Sequence, residues 1–264
     1  MKLIKIFFEK IHTLIWFLKR PRFWLHAIEL IKRIFLSNLD TNSHKELARK
    51  WASEQCISYD EALLKMGIKG KKQGMSKAIL EEGKDLADQS LVKMGGAGDT
   101  NLLYDIVRQK KSKLVIETGV AYGWSSLSIL YAMSLNNDGE LYSVDMPYPK
   151  MDNESFVGIV IPNRFRKRWS LIREPDRYGL KKAIHKIGRK IDLCHYDSDK
   201  SWRGRAYAFP LLWKALDLDG LFISDDIQDN LYFAEFVKAK SIPYCVIKSG
   251  DKYVGIMRKI KNDN

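Results

Sequence analysis

The sequence predicts an α/β fold built on an open, mostly parallel sheet, and three observations predict it. One apolar run, Ile191 to Tyr196, passes directly into Asp197, Ser198, Asp199 and Lys200. A second, Leu221 to Ser224, passes into Asp225 and Asp226. Short apolar runs bounded by turn residues read as buried strands. From Lys113 to Asp145 the pattern alternates strand, glycine turn, helix and strand, the order of a βαβ unit. With 264 residues, 45% of them hydrophobic, the chain can enclose the core such a sheet needs.

In an open α/β sheet, ligands bind outside the C-terminal ends of the strands. Asp197, Asp225 and Asp226 are therefore expected to converge although 28 residues separate the first two. Three carboxylates at one point repel one another unless a cation sits among them, and all-oxygen donors suit Mg²⁺ or Ca²⁺. Lys200, three residues beyond Asp197, offers a base beside that cation.

The elements follow in order. Leu114–Ile116 reads as a short buried strand, Glu117–Gly123 as a small-residue turn, and Ser125–Met133 as an apolar helix. Gly119 and Gly123 let the backbone turn sharply and come close to a ligand, and the helix start presents free N–H groups. Leu141–Val144 is the next strand, ending in Asp145, where a carboxylate can accept hydrogen bonds from ribose hydroxyls. Trp169–Arg173 suits a third strand and Arg203–Leu216 a helix closed by the turn Asp217–Gly220. Leu231–Lys240 suits a further helix, and Ile242–Ile247 with Tyr253–Arg258 a closing hairpin across Ser249, Gly250 and Asp251.

The glycine turn does not have the dinucleotide spacing. Its pattern, Glu117-x-Gly119-x-x-x-Gly123, resembles motif I of the class I S-adenosylmethionine-dependent methyltransferases, with Asp145 matching the acid after their second strand. That resemblance implies a Rossmann-like, seven-stranded sheet over roughly residues 95–260, parallel but for its last strand. It also implies S-adenosyl-L-methionine held by Glu117, Gly119, Ala121, Tyr122, Gly123, Ser125, Asp145 and Glu174. Glu174 or Asp176 would sit near the adenine.

The later acids resemble those of the cation-dependent O-methyltransferases. Asp197-x-x-Lys200 is similar to the catechol and caffeoyl-CoA types, and Asp225-Asp226 to the macrocin-type sugar O-methyltransferases. Many bacterial relatives carry a histidine where Lys200 stands. The resemblance implies Mg²⁺ or another divalent cation on Asp197, Asp225 and Asp226, and Lys200 with Asp197 as catalytic groups. The reaction implied is O-methylation of a small-molecule, sugar or lipid-linked glycan hydroxyl. Asp199 is expected outside the cation site, facing solvent or capping the next helix, and His195 is expected to be structural.

The +13 net charge is uneven: residues 1–50 hold eleven Lys/Arg against four Asp/Glu. Ile4, Phe7, Phe8, Ile11, Leu14, Ile15 and Leu18 recur at helical spacing, Pro21 interrupts, and Trp24, Ala27, Ile28, Ile31, Ile34 and Phe35 repeat the pattern. Neither run reaches the roughly 18 uncharged residues of a membrane span, and Ile11–Leu18 lacks the cleavage site of a signal peptide. Two readings stand: a helix pair lying on an anionic membrane surface through residues 1–36, or helices that pack on the catalytic domain or form a homodimer contact. The organisation expected is a basic helical extension at 1–40, a helical segment packing on the core at 41–94, and the methyltransferase domain at 95–264.

Three scattered cysteines argue against a disulfide framework and for a reducing, cytoplasmic compartment, free or peripheral on the membrane's cytoplasmic face. An RNA methyltransferase is the reading the basic balance suggests. It is disfavoured as a nucleic-acid enzyme because its charge lies far from the site and no Asn/Asp-Pro-Pro-Tyr-like motif follows the relevant strand. A membrane-tethered, non-catalytic binding protein of the same fold and a cephalosporin-hydroxylase-like relative are the competing readings.

Overall fold

The computed structural model describes residues 11–36, 39–149 and 153–261. Ile4, Phe7 and Phe8 of the expected first helix lie outside the described residues. Seven strands form one sheet: β1 (Leu114–Thr118), β2 (Glu140–Val144), β3 (Trp169–Ile172), β4 (Ile191–Tyr196), β5 (Leu216–Ser224), β6 (Tyr244–Ser249) and β7 (Lys252–Arg258). Their order is β3-β2-β1-β4-β5-β7-β6. Every pairing is parallel except those of β7 with β5 and β6. The strand order reverses at the β1–β4 boundary, the switch point where open sheets of this kind bind ligands.

The sheet is buried on both faces, which is why its strands read as near-continuous apolar runs. Alternation sends Val115, Leu193 and Leu221 to one face and Ile116, Cys194 and Phe222 to the other. The first set packs under helices Thr100–Lys110 and Trp124–Asn136 through Leu102, Ile106, Leu127 and Leu130. The second packs under helices Asp176–Ile187 and Trp202–Ala215 through Leu180, Phe209 and Leu212.

Two local expectations need correction. Asp217–Gly220 is not a turn ahead of β5 but part of it, because Asp219 N–H donates to Lys259 O (2.7 Å) and Lys259 N–H to Gly220 O (3.0 Å). The irregularity shows instead as a register shift against β4 and a φ of +63° at Asp219. Helix Asn42–Glu54 is capped by Thr41, whose hydroxyl accepts from His44 N–H at 3.2 Å, so Ser43, whose spacing to Glu46 reads as a capping box, lies inside the helix instead of opening it. Ser58 does cap helix Tyr59–Lys65, accepting from Glu61 N–H at 3.3 Å.

The segment before the sheet is tied down by one buried acid. Asp105, fully buried, accepts from Tyr59 Oη at 2.8 Å and from the Gly74 N–H at 3.0 Å. Ahead of it, residues 11–18 are helical, Pro21–Phe23 makes a 3₁₀ turn, and Trp24–Leu36 forms a second helix. Trp16 stacks on Phe23 with centroids 5.2 Å apart, and Trp24 Nε1 donates to Phe17 O at 2.9 Å, closing a small aromatic hinge. Among the described residues, no helix is long and apolar enough to cross a membrane.

Candidate active site

A cavity of about 830 Å³ opens at the C-terminal ends of β1, β2, β4 and β5. The chain enters it after Thr118 through Gly119, which adopts φ +78° and donates its N–H to Val144 O at 2.9 Å. A Cβ on Gly119 would lie 2.3 Å from the carbonyl oxygen of Asp197, so glycine is what lets β1 and β4 end side by side here. Asp145 Oδ1 accepts the Val120 N–H at 2.8 Å. Its other oxygen is taken by the Arg173 guanidinium, which also donates to Asp145 O at 3.2 Å. Burial raises the Asp145 carboxyl above its ordinary pKa, opposed by the Val120 N–H and by Arg173.

Gly119, Ala121, Ser125 and Asp145 of the expected cofactor set line this cavity. The other four lie elsewhere, each for a physical reason. Glu117 is fully buried beneath the cavity floor, accepting from Ser143 Oγ at 2.7 Å and from Ser126 Oγ. Tyr122 packs half-buried against the core and donates its hydroxyl to Val92 O at 3.0 Å. Gly123 is needed for packing, since a Cβ there would meet Gly158 Cα at 2.9 Å. Glu174 is drawn off by Lys182, and Asp176 stands at the cavity instead, accepting from Ser198 Oγ at 2.5 Å.

The acidic end is assembled by β4 and β5. Asp197 N–H donates to Thr118 O and Asp225 N–H to Tyr196 O, both at 3.0 Å, so each acid extends the sheet by one residue. Both side chains line the cavity. Burial and the facing Asp225 lift the Asp197 carboxyl to about 6, against the pull of Lys200. Asp197 Oδ1 is closed off from solvent and accepts no hydrogen bond, although Lys200 Nζ stands 3.2 Å away.

Asp226 departs from the expected trio. It adopts φ +52°, and its carboxylate turns away from the cavity to accept from Lys200, from Lys252 at 3.2 Å and from Gln228 at 3.1 Å. Those lysines hold Asp226 below the usual carboxylate range even though burial works the other way. Burial likewise disfavours the charged Lys200, yet Asp197 and Asp226 outweigh it and raise its pKa above that of an ordinary lysine. Asp199 accepts from Ser201 Oγ at 2.7 Å, and Ser201 in turn caps helix Trp202–Ala215 through Gly204 N–H at 3.0 Å.

A divalent cation is met only partly by this donor set. Asp197 and Asp225 offer oxygens to one cavity and repel each other, and the Lys200 ammonium already stands 3.2 Å from Asp197 Oδ1. The third carboxylate is already saturated by two ammonium groups. Among the described residues, no cluster of three His, Cys, Asp or Glu side chains is disposed to hold a metal ion.

Three contributors to the site are not singled out by sequence spacing. His195, nearly fully buried, stands 3.7 Å from Glu117 and 3.6 Å from Asp225, ion-pair distances that join the β1 acid to the β5 acid. Burial pulls its imidazole down, but Asp225 and Glu117 outweigh that and lift it to about 10. Arg205, with no exposed surface, donates to Asp226 O at 2.6 Å and Asp225 O at 3.2 Å and so fixes the loop after β5. The glycine-rich stretch at 95–98 forms one wall: a Cβ on Gly98 would lie 2.9 Å from Asp225 Oδ2. Glycine density was the available signal for that wall; for a buried His or Arg, none existed.

Residues 116–227, from β1 to just past Asp226, match the family model of a methyltransferase domain. The chain shares its fold with solved O-methyltransferases. It is similar to the SAH-bound methyltransferase PaMTH1 of Podospora anserina, at 14% identity and TM-score 0.55 over 78% of this chain and 98% of that one. It is similar to the O-methyltransferase of Bacillus cereus solved with SAH, at 14% identity and TM-score 0.54 over 79% and 100%. It is also similar to TomG of Streptomyces achromogenes, an O-methyltransferase involved in tomaymycin synthesis and solved with SAM, at 13% identity and TM-score 0.53 over 77% and 100%. No curated protein matches by sequence. The chain thus places its glycine turn, Asp145 and the two acids Asp197 and Asp225 around one cavity.

Proposed function

We propose that this methyltransferase domain moves the methyl group of S-adenosylmethionine onto a hydroxyl of a small-molecule, sugar or lipid-linked glycan acceptor, assisted by Mg²⁺ or a similar cation. One observation carries the reading: Asp197, Asp225 and Lys200 share a cavity with the Gly119 turn and Asp145. S-Adenosylmethionine supplies an electrophilic methyl on a sulfonium, and a divalent cation lowers the pKa of a bound hydroxyl. The remaining work falls to the protein.

Asp145 and the backbone at Gly119, Val120, Ala121 and Ser125 would bind and orient the cofactor's nucleoside end. Asp197 and Asp225 would hold the cation, with Asp226 available only after Lys200 and Lys252 release it. Lys200 lines the same cavity as Asp197 and Asp225. Its ammonium is held by Asp197 and Asp226, so its first role is to keep the acids in place. Proton removal falls to it only after those ion pairs open. Positioning the hydroxyl in line with the sulfonium is the larger part of the catalysis.

Calorimetric titration of S-adenosylmethionine, with Mg²⁺, with EDTA and with Asp197→Ala, tests the proposal alongside turnover on a panel of phenolic, sugar and glycolipid hydroxyls. Cofactor affinity is expected to agree within about threefold in all three. Methyl transfer is expected to fall about 100-fold or more with EDTA and in the variant. Undiminished transfer in EDTA removes the cation from the proposal; no cofactor binding under any condition removes the proposal itself. In Asp145→Ala, loss of charged hydrogen bonds worth about 1.5–3 kcal/mol is expected to weaken cofactor binding about 10- to 100-fold. An unchanged dissociation constant would show that Asp145 serves only Arg173 and the Val120 N–H.

A further inference from the structure

The two N-terminal helices wear their apolar faces outward. On the first, Ile11, Leu14, Ile15 and Leu18 are 36–60% exposed, while Phe17 is buried against the aromatic hinge. On the second, Trp24, Leu25, Ile28 and Ile31 are 48–64% exposed, and the half-buried face carries His26, Glu29 and Leu30. A surface helix ordinarily does the reverse. Among the described residues, these eight side chains are half of all large apolar ones left exposed, whereas scattered single ones would need no explanation.

The inward face of the second helix is part of the active site. His26, Glu29 and Leu30 line the cavity, and Glu29 pairs at 3.7 Å with Arg177, another cavity residue. One helix, about 10 Å across, therefore has the methyl-transfer cavity on one side and a bare apolar stripe on the other. Cations edge that stripe: Lys19, Arg22 and Lys32 are all exposed. Apolar residues flanked by basic ones are the composition that lies in the plane of an anionic bilayer.

We propose that this face docks the protein on an anionic lipid surface, with the helix as the cavity's rim, so that the acceptor is an amphiphile whose headgroup hydroxyl is presented from the bilayer. The acceptor half rests on the methyl-transfer reading; the docking half does not. A second copy of the chain is the competing occupant, but it would gain nothing from the basic margin, since like charges would meet.

The test is flotation of the full chain with vesicles of phosphatidylcholine alone or with 30% phosphatidylglycerol, beside Leu25→Glu/Ile28→Glu, two substitutions at exposed positions. Binding is expected to be about tenfold stronger to the anionic vesicles, to weaken at high salt, and to fall about tenfold or more in the double variant. Calorimetry with S-adenosylmethionine should be the same for both proteins, which separates failure of docking from failure of the methyl-transfer reading. Equal flotation of the two proteins, no flotation at either composition, or a salt-insensitive dimer broken by the same substitutions would overturn the proposal. With labelled cofactor and membranes of the cells that make the protein, label should enter the chloroform–methanol extract. Label confined to water-soluble product would overturn the acceptor assignment.

Discussion

Asp225→Asn is expected to lower kcat by about 10³-fold or more while changing the S-adenosylmethionine dissociation constant less than about threefold. The side chain keeps its size, so the Gly98 wall and the Asp225 N–H bond to Tyr196 O at 3.0 Å are undisturbed. What disappears is one of the two carboxylate charges that would hold the proposed cation, the group that would lower the pKa of the acceptor hydroxyl. The same change leaves His195 facing Glu117 alone and breaks the charge chain from β1 to β5. Steady-state kinetics in Mg²⁺, with a thermal melt to confirm folding, checks it. A kcat within tenfold of the parent would place the chemistry elsewhere in the cavity.

Gly119→Ala is expected to be the most damaging single methyl in the domain. The residue needs φ +78°, and the new Cβ would stand 2.3 Å from Asp197 O, a backbone atom with no rotamer to move to. The ends of β1 and β4 would have to part, against the bonds Asp197 N–H makes to Thr118 O at 3.0 Å and Oγ1 at 3.2 Å. Positive-φ strain and the clash together are worth about 3 kcal/mol, which in a chain of this size lowers Tm by about 6–12 °C. Because the turn also forms the cavity wall, cofactor binding should weaken even at temperatures where the variant is folded. A melt and a cofactor titration within error of the parent would show that the turn relaxes freely. Gly123→Ala would meet Gly158 Cα and test packing of the following loop instead.

The sheet was legible because a strand covered on both faces has no choice but to be apolar, and because acid and glycine punctuate its C-terminal ends. Leu221–Ser224 and Ile191–Tyr196 could be placed for that reason. The start of β5 could not, since residues 217–220 have turn composition and become strand only by pairing with Lys259, some 40 residues later. The Thr41 cap was obscured by a capping-box match two residues on, and only the backbone decides which hydroxyl reaches an open N–H.

The site divides in the same way. Gly119, Asp145, Asp197 and Asp225 are residues whose type and position at strand ends already state a chemistry, and the fold brings them to one cavity. Glu117 and Asp226 are also acids near the C-terminal ends of strands, yet one feeds a buried serine and histidine network and the other is saturated by Lys200, Lys252 and Gln228. Sequence spacing determines which strand end an acid occupies. Whether its oxygens face a ligand or a lysine depends on partners supplied by distant parts of the chain, β7 in the case of Lys252. The N-terminal helices follow the same physics: their periodicity is written in the sequence. Which face remains in water was decided only when Phe17, Phe23 and the cavity rim took the other side, because amphipathicity specifies two faces without specifying what covers them.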